Sequence, residues 1–329
     1  MKFFEITIKP MSGFGTPLKG DTLFGHFCWQ ANYDSDLLKG GLEKQIKLYR
    51  EKPFAVFSSA FPKVSDGPKQ YYALKRPEMP VFMLFSPSSN RIKRLKKAKK
   101  DKKKKWMLVE KNTCIDPAAV NFITEKQLCE KFFEQKSEAF MQTDSQQHNT
   151  INRMTGTTGE GEFAPYSKEN TYYMPGIVMT VFVLIDEEAT DIERIGKGLE
   201  RIGSWGFGRD ASTGLGRFAV TGHEEITMNT DGPAFYSLAP SVPDMDLFKK
   251  IYSTTFTRFG KHGDSLACSK NPFKNPVIMA DEASVFILKD KKLEKPYIGC
   301  AVSGVSKAMP ETVVQGYSPC LPIKLEQNI

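Results

Sequence analysis

The stretch Gly206-Phe-Gly208-Arg-Asp-Ala-Ser-Thr-Gly214-Leu-Gly216-Arg-Phe218 sets two Gly-apolar-Gly units around a polar centre. Glycine reaches positive φ and carries no Cβ, so such a loop brings backbone amides close to an anion, which suits phosphates and sugars. Arg209 and Arg217 add charge, and Ser212 and Thr213 add hydroxyl donors. The same glycines would also serve a turn whose task is packing alone. The neighbouring elements narrow the choice. Ahead of the loop, Ile192, Ile195, Leu199 and Ile202 recur at helical spacing, with Thr190-Asp-Ile-Glu193 as a capping box and Gly203 as the stop, which predicts a helix over 191–202. Behind it, residues 217–221 predict a strand. Helix before and strand after is the reverse of the order in dinucleotide and P-loop sites, and no Gly-Lys-Ser/Thr follows. A mononucleotide enzyme is therefore excluded.

Working outward, Gly176–Ile185 is almost wholly apolar and predicts a central strand covered on both faces. Residues 3–8 predict a first strand, followed by a glycine-rich turn with Pro17 and Gly20 and an amphipathic helix over 21–33. Leu23, Phe24, Phe27, Cys28 and Ala31 share one face of that helix, Thr22, His26, Trp29 and Tyr33 another, and Asp21 is the expected N-cap. A second strand is expected over 53–61. A long insertion follows at about 62–171, holding short helices near 125–140 and a polar tract, 142–162, that reads as an exposed loop or long hairpin. Strand, helix, strand, excursion, strand, helix, strand is the order of a ferredoxin-like split βαβ unit. The expected fold is α+β with two ferredoxin-like (RRM-like) domains. The first spans 1–221 and includes the insertion; the second spans 222–329 and is a degraded copy, with a helix near 244–258 and strands at 284–288, 297–302 and 313–325.

Composition narrows the function classes. At 40% apolar and 12% aromatic residues the chain is too hydrophobic to be disordered. Its six cysteines are scattered without Cys-x-x-Cys spacing, so neither zinc nor a disulfide framework is indicated, and no cofactor is called for. The first residues alternate like a strand and do not resemble a signal peptide, and the apolar run 172–185 is too short to cross a bilayer. A reducing cytoplasm is the expected location. The net charge of +8 is concentrated: Arg91, Lys93, Arg94, Lys96, Lys97, Lys99, Lys100, Lys102, Lys103, Lys104 and Lys105 are opposed within 91–105 only by Asp101. Such a run attracts RNA, DNA or anionic lipid by counterion release, or it is a solvated lysine-rich surface.

Three motifs together resemble one family: the glycine loop, Thr16-Pro-Leu-Lys-Gly-Asp-Thr-Leu-Phe-Gly-His-Phe27, and His148-Asn-Thr-Ile-Asn-Arg-Met-Thr-Gly156. They resemble the RAMP superfamily of CRISPR proteins, and more narrowly its subunit that caps the 5′ tag of the guide RNA (crRNA) in type III-A (Csm) effector complexes. The closing Val314-Gln-Gly-Tyr-Ser-Pro-Cys-Leu-Pro322 extends the likeness more loosely. The resemblance implies two RAMP domains and a non-catalytic scaffold that grips the repeat-derived tag. It further implies docking to the large polymerase-like signalling subunit and to a backbone RAMP subunit. An inserted thumb would interrupt guide–target pairing near the guide 5′ end; the polar tract and the lysine-rich insertion are both candidates for it.

On this reading RNA meets Lys19, Gly20, Thr22 and His26 at the first helix, Asn149, Asn152, Arg153 and Thr155 in the polar tract, and Gly206, Gly208, Arg209, Ser212, Thr213, Gly214, Gly216 and Arg217 in the loop. Arg153 has an internal ion pair as its bland alternative. His26 sustains one rival, a metal-independent crRNA-processing endoribonuclease, because histidine can move a proton near neutral pH, although a helical histidine is more often a hydrogen-bonding or packing residue. A basic membrane-surface or DNA-binding module is a further rival, resting on the lysine run alone. In the last third, Arg258, Lys261 and His262 form a small basic cluster and Lys307 sits in a Gly/Ser loop.

Overall fold

The computed structural model describes residues 1–85, 91–111, 114–133, 137–227, 231–289 and 292–325. The chain begins with β1 (Lys2–Pro10), α1 (Gly20–Tyr33), α2 (Gly41–Leu48) and β2 (Ala55–Asp66). The excursion supplies β3 (Lys69–Lys75), α3 (Val81–Leu84), α4 (Arg91–Lys103), β4 (Trp106–Glu110), β5 (Asn121–Ile123), α5 (Glu125–Phe132), β6 (Met141–His148) and β7 (Tyr166–Tyr173). Then come β8 (Val178–Ile185), α6 (Ile192–Trp205) and β9 (Phe218–Glu225). The last third runs β10 (Ala234–Ser237), β11 (Phe248–Tyr252), β12 (Thr255–Arg258), β13 (Val277–Ala280), β14 (Val285–Leu288), β15 (Tyr297–Gly299) and β16 (Tyr317–Pro322).

The first sheet has the order β5-β4-β3-β2-β8-β1-β9 and is antiparallel throughout. Its β2-β8-β1-β9 portion, with α1 joining β1 to β2 and α6 joining β8 to β9, is the ferredoxin-like unit read from the sequence. Both helices lie on one face. There Phe27 meets Phe54 and Phe57, and Ile195, Leu199 and Ile202 are buried. The excursion does not leave the sheet at residue 62. β2 continues to Asp66, and β3, β4 and β5 extend the sheet at that edge. Pro62 is tolerated because it falls just before the stretch paired with β3, where β2 has a ladder neighbour on one side only.

Four local expectations are corrected. Asp21 is not a cap: Lys19 flanks the helix without a side-chain cap bond, and Asp21 is buried in the first turn, gripped by the Arg258 guanidinium at 2.5 and 2.9 Å. Thr190 is not the cap of α6 either. Its hydroxyl donates to the Leu37 carbonyl at 2.8 Å, and Asp191 takes the role, accepting from the Arg194 amide at 3.0 Å. Gly203 does not end α6, which continues to Trp205 and stops at Gly206 with φ 107°. Gly203 instead lets the helix close on β9, because a Cβ there would stand 2.1 Å from the Phe218 carbonyl oxygen. Finally, 244–258 holds β11 and β12 rather than a helix. The apolar spacing of Leu247, Phe248 and Ile251 looks helical, but the run Ile251-Tyr-Ser-Thr-Thr-Phe-Thr257 is rich in β-branched and aromatic residues, and β14 and β13 provide the partners.

The second sheet, β11-β14-β10-β16-β15, docks on the first through β2. Between Phe57 and Ala60 the β2–β8 register shifts, and the freed groups find other partners. The Phe182 amide donates to Ser58 Oγ at 2.7 Å, and the Ser59 amide to the Leu238 carbonyl at 2.9 Å. Buried Gln315 reads the Phe57 backbone like a ladder partner: Oε1 accepts the Phe57 amide at 2.9 Å and Nε2 donates to its carbonyl at 2.8 Å. Each of those backbone groups, if stranded, costs about 1–3 kcal/mol. Gln315→Ala is therefore expected to lower the unfolding free energy by about 3 kcal/mol in chemical denaturation, against about 0.5 kcal/mol or less for Gln146→Ala on the exposed hairpin.

Candidate nucleic-acid interface

The glycine loop is pinched at its neck. The Phe207 amide donates to the Gly216 carbonyl at 2.9 Å, and the Phe207 side chain is fully buried beneath. Gly208 and Gly216 have φ 76° and 74°, and a Cβ would stand 2.5 Å from Thr16 Cβ in the first case and 2.1 Å from the Phe207 carbonyl oxygen in the second. These two glycines are there for close approach. Gly214, at φ 97°, differs in having nothing within 4 Å of its Cβ position; the glycine is there for the left-handed conformation, with its amide donating to the Ala211 carbonyl at 3.0 Å. Ser212 and Thr213 are exposed at the apex, and Arg217 is exposed where β9 begins.

A second turn, 11–16, holds the loop in place. Gly216 donates to the Gly13 carbonyl at 2.7 Å, the Arg217 amide to Ser12 Oγ at 2.9 Å and the Arg209 amide to Thr16 Oγ1 at 2.9 Å. The Arg209 guanidinium donates to the Gly15 carbonyl at 3.2 Å, the Glu169 carbonyl at 2.5 Å and Asn170 Oδ1 at 3.1 Å, and it pairs with Asp210 at 3.1 Å. Lys168 also pairs with Asp210, at 2.9 Å. Loop, turn and the base of β7 are thus one surface, and the Arg209 charge is spent inside it while that of Arg217 faces out. The sequence reading passed over Ser12 and Thr16. The Gly13-Phe-Gly15 spacing was the signal for that turn.

His26 supports the loop from α1. Its Nε2 accepts the Gly208 amide at 3.0 Å and its ring lies 4.7 Å from that of Phe207. Burial, helped by the nearby charge of Lys274, lowers its pKa to about 4, so it is neutral at pH 7 and free to accept. One helical turn earlier Thr22 is half-buried. The other expected contacts on α1 face inward. Lys19 pairs with Asp281 and, at 2.8 Å, with Glu282, and lies 4.6 Å over the Phe256 ring. At Gly20 a Cβ would stand 2.2 Å from the Phe57 carbonyl oxygen.

The polar tract is a hairpin. β6 and β7 pair from Met141↔Tyr173 to His148↔Tyr166, a ladder of roughly 25 Å, largely exposed. At its tip Asn152 Oδ1 accepts the Met154 amide at 2.9 Å, Thr155 and Thr157 hydroxyls meet at 3.0 Å, and Asn149 and Arg153 are exposed. The basic run forms α4, whose last carbonyls, at Asp101, Lys102 and Lys104, accept from Arg76 at 3.2, 3.4 and 3.2 Å. Lys96, Lys97, Lys99, Lys100, Lys102, Lys103 and Lys105 are exposed, and Lys104 pairs with Asp101 at 3.3 Å. The side chains of Arg91, Lys93 and Arg94 lie outside the described residues. α4 precedes β4 near one edge of the sheet and the loop leads into β9 at the other, roughly 24 Å away across the strands, so the structure does not bring the two together. Among the described residues no group of His, Cys, Asp or Glu is arranged to hold a metal ion, and no helix is long and apolar enough to cross a membrane.

Scanned against protein-family models and curated proteins, the sequence matches none. Solved structures do match. A chain of the Csm1–Csm4 cassette in complex with cA4 is similar over 100% of both chains, with TM-score 0.59 and 16% identity. A chain of the same cassette with pppApA gives 0.58 and 15%, again over 100% of both. A chain of the Csm3–Csm4 subcomplex of the type III-A CRISPR-Cas interference complex gives 0.55 and 16%, over 98% of this chain and 100% of that one. Csm4 is the component common to all three. The chain shares its fold with these chains, and at this identity the fold is what is shared.

The His26 geometry has a pH consequence. Its folded pKa lies below the unfolded value of 6.5, so the unfolded chain binds the extra proton first and the stabilisation is complete above pH 6.5 and lost as pH falls toward 4. The loss is expected to reach about 2–3 kcal/mol. Denaturation curves of wild type and His26→Gln between pH 7 and pH 4 check this; the variant's curve should lack that component of the slope.

Proposed function

We propose that this chain is a non-catalytic crRNA-binding subunit of a type III-A CRISPR ribonucleoprotein, holding the repeat-derived 5′ tag. The observation that carries the reading is the glycine loop. It is braced internally by Arg209, His26 and the 11–16 turn, yet it leaves the side chains of Ser212, Thr213 and Arg217 exposed. Most of the loop's own amides are spent on this bracing, and its rigid apex presents the side chains of Ser212, Thr213 and Arg217, hydroxyls and one guanidinium that suit a sugar–phosphate backbone held in one register. Support also comes from the full-length likeness to chains solved with Csm1 and with Csm3. By that analogy the chain docks a large polymerase-like subunit and a backbone RAMP subunit, with residues 1–221 and 222–329 as its two domains. The β6–β7 hairpin is the better thumb of the two candidates, since it projects from the loop's own surface and would reach target RNA near the guide 5′ end. The exposed lysines of α4 add long-range attraction for the same polyanion.

The nuclease reading finds little support in the geometry. His26 is neutral, its Nε2 is occupied by a loop amide, and its pKa is far below the range a general acid or base uses at pH 7.

The test is to purify the assembled complex and sequence its RNA. Discrete guides sharing one repeat-derived 5′ end are expected; RNA without a common end sinks the proposal. With tag RNA in vitro, Ser212→Ala/Thr213→Ala/Arg217→Ala should weaken binding roughly tenfold or more at fixed salt. Repeat RNA incubated with the chain without metal should stay intact, and His26-dependent cleavage would replace the scaffold reading with the nuclease one.

A further inference from the structure

The outward face of α1 carries aromatic rings that neither the core nor the glycine loop uses. Trp29 and Tyr33 stack at 6.2 Å with 27° between their planes, and Trp205, the last residue of α6, continues the row 6.1 Å from Tyr33. Tyr33 and Trp205 are 49% and 58% exposed. The Trp205 end of the row, its ring tilted 59° to that of Tyr33, joins the loop because Trp205 directly precedes Gly206, while His26, one turn before Trp29, holds the Gly208 amide from α1. The other end reaches the 260–274 segment, where the Trp29 Nε1 lies 3.6 Å from the Cβ position of Gly263. Lys274 on that segment is half-buried; its backbone amide donates to the Gly260 carbonyl at 2.8 Å, but its ammonium forms no ion pair or hydrogen bond among the described residues. The carboxylates nearby are already engaged: Asp21 by Arg258, and Asp34 by Lys197 at 3.0 Å and Arg201 at 2.8 Å.

We propose that Trp29, Tyr33 and Trp205 form a base-stacking platform for single-stranded RNA leaving the glycine loop, with Lys274 meeting one of its phosphates. The proposal rests on the RNA-binding reading and adds a path to it. Flat rings presented in a row beside a glycine-rich backbone clamp match the way unpaired bases are held, stacked and largely without regard to sequence. Charge argues for RNA over a protein helix on this face. Lys274 lacks a counter-charge that a phosphate would provide, whereas an apolar partner would bury the ammonium unpaired.

The experiment uses the full chain with two probes, an adenosine octaribonucleotide and an abasic ribose-phosphate octamer of the same length. The adenosine octamer is expected to quench the emission of Trp29 and Trp205, with Trp106, only 6% exposed, as an unquenched reference. Tyr33→Ala/Trp205→Ala should weaken its binding roughly ten- to hundredfold while leaving binding of the abasic octamer unchanged, and Trp205→Phe should retain most of the affinity. Lys274→Met should lower the salt dependence by about the 0.7 expected for one single-strand phosphate. The proposal is overturned if the double variant binds the adenosine octamer like wild type, or if wild type binds both octamers equally. It is also overturned if the double variant keeps RNA affinity but no longer copurifies with the other subunits, which would make the row a protein-docking face. The loop reading fails separately, when Ser212→Ala/Thr213→Ala/Arg217→Ala leaves tag binding intact while the aromatic double variant weakens it.

Discussion

The first turn of α1 is the constraint on which the rest depends. Gly20 lets the helix backbone press against the Phe57 carbonyl on β2, an approach that no side chain permits. The flanking residues then fasten this contact to the β12 strand and the β13–β14 connection of the last third. Lys19 reaches Glu282, which is also held by Lys75 at 2.6 Å, and Asp21 takes Arg258. Burial alone would raise the Glu282 pKa, but the Asp281 hydrogen bond and the charges of Lys75 and Lys19 outweigh it and hold the carboxyl below its usual range, so Glu282 stays ionised, while burial and the neighbouring Glu282 push Asp281 up to about 6. Taking one partner out of such a buried group leaves an uncompensated charge, typically several kcal/mol of loss. The helix is thereby fixed in position and rotation, and everything its outer face carries is fixed with it.

That rotation is what aims the glycine loop. His26 is a turn and a half beyond Gly20, and its ring nitrogen reaches the Gly208 amide across the sheet's helical face. Arg209 fixes the other side of the loop by joining it to the 11–16 turn and to β7. A loop rich in positive-φ glycine would otherwise have high conformational entropy, and ordering it on a ligand would weaken binding. Here the order is built into the fold, and the apex alone is left to contact a ligand. The division explains why two arginines eight residues apart, Arg209 and Arg217, have opposite orientations although the sequence offered them as equals.

The first half of the fold was legible because its signals are local. The apolar run of β8, the 3.6-residue period of α6 and the alternation in β1 each announce one element, and their order gives the ferredoxin-like unit. What failed depended on distant partners. Asp21 reads as a cap because sequence cannot show Arg258 arriving from the end of β12, and β11 and β12 look helical until β14 and β13 supply their ladders. The site was legible at the level of segments rather than side chains. The loop, the first helix and the hairpin are neighbours or near neighbours, yet Lys19 and Gly20 face the interior, and the glycine-rich turn read before α1 gave no sign that Ser12 and Thr16 would brace the loop from a distance of some two hundred residues in sequence.

The separation of α4 from the loop gives the chain's charge a different meaning from the one its net value suggests. The basic run 91–105, eleven Lys and Arg against Asp101, carries a net +10, more than the whole formal excess of +8, and its lysines at 96, 97, 99, 100, 102, 103 and 105 are exposed on or just after α4, which precedes β4 far across the sheet from β9. Charges of that kind act over a Debye length of about 8 Å at physiological salt, carry no register and weaken steeply as salt rises. The loop surface is closer to the reverse: its charge is small, since Arg209 and Lys168 share the Asp210 carboxylate and Arg217 faces out, but its backbone is held rigidly enough to fix where the apex side chains stand. Attraction and recognition are therefore assigned to different parts of the chain. A polyanion can be gathered by α4 without being read, and held in register by the loop without a large charge there.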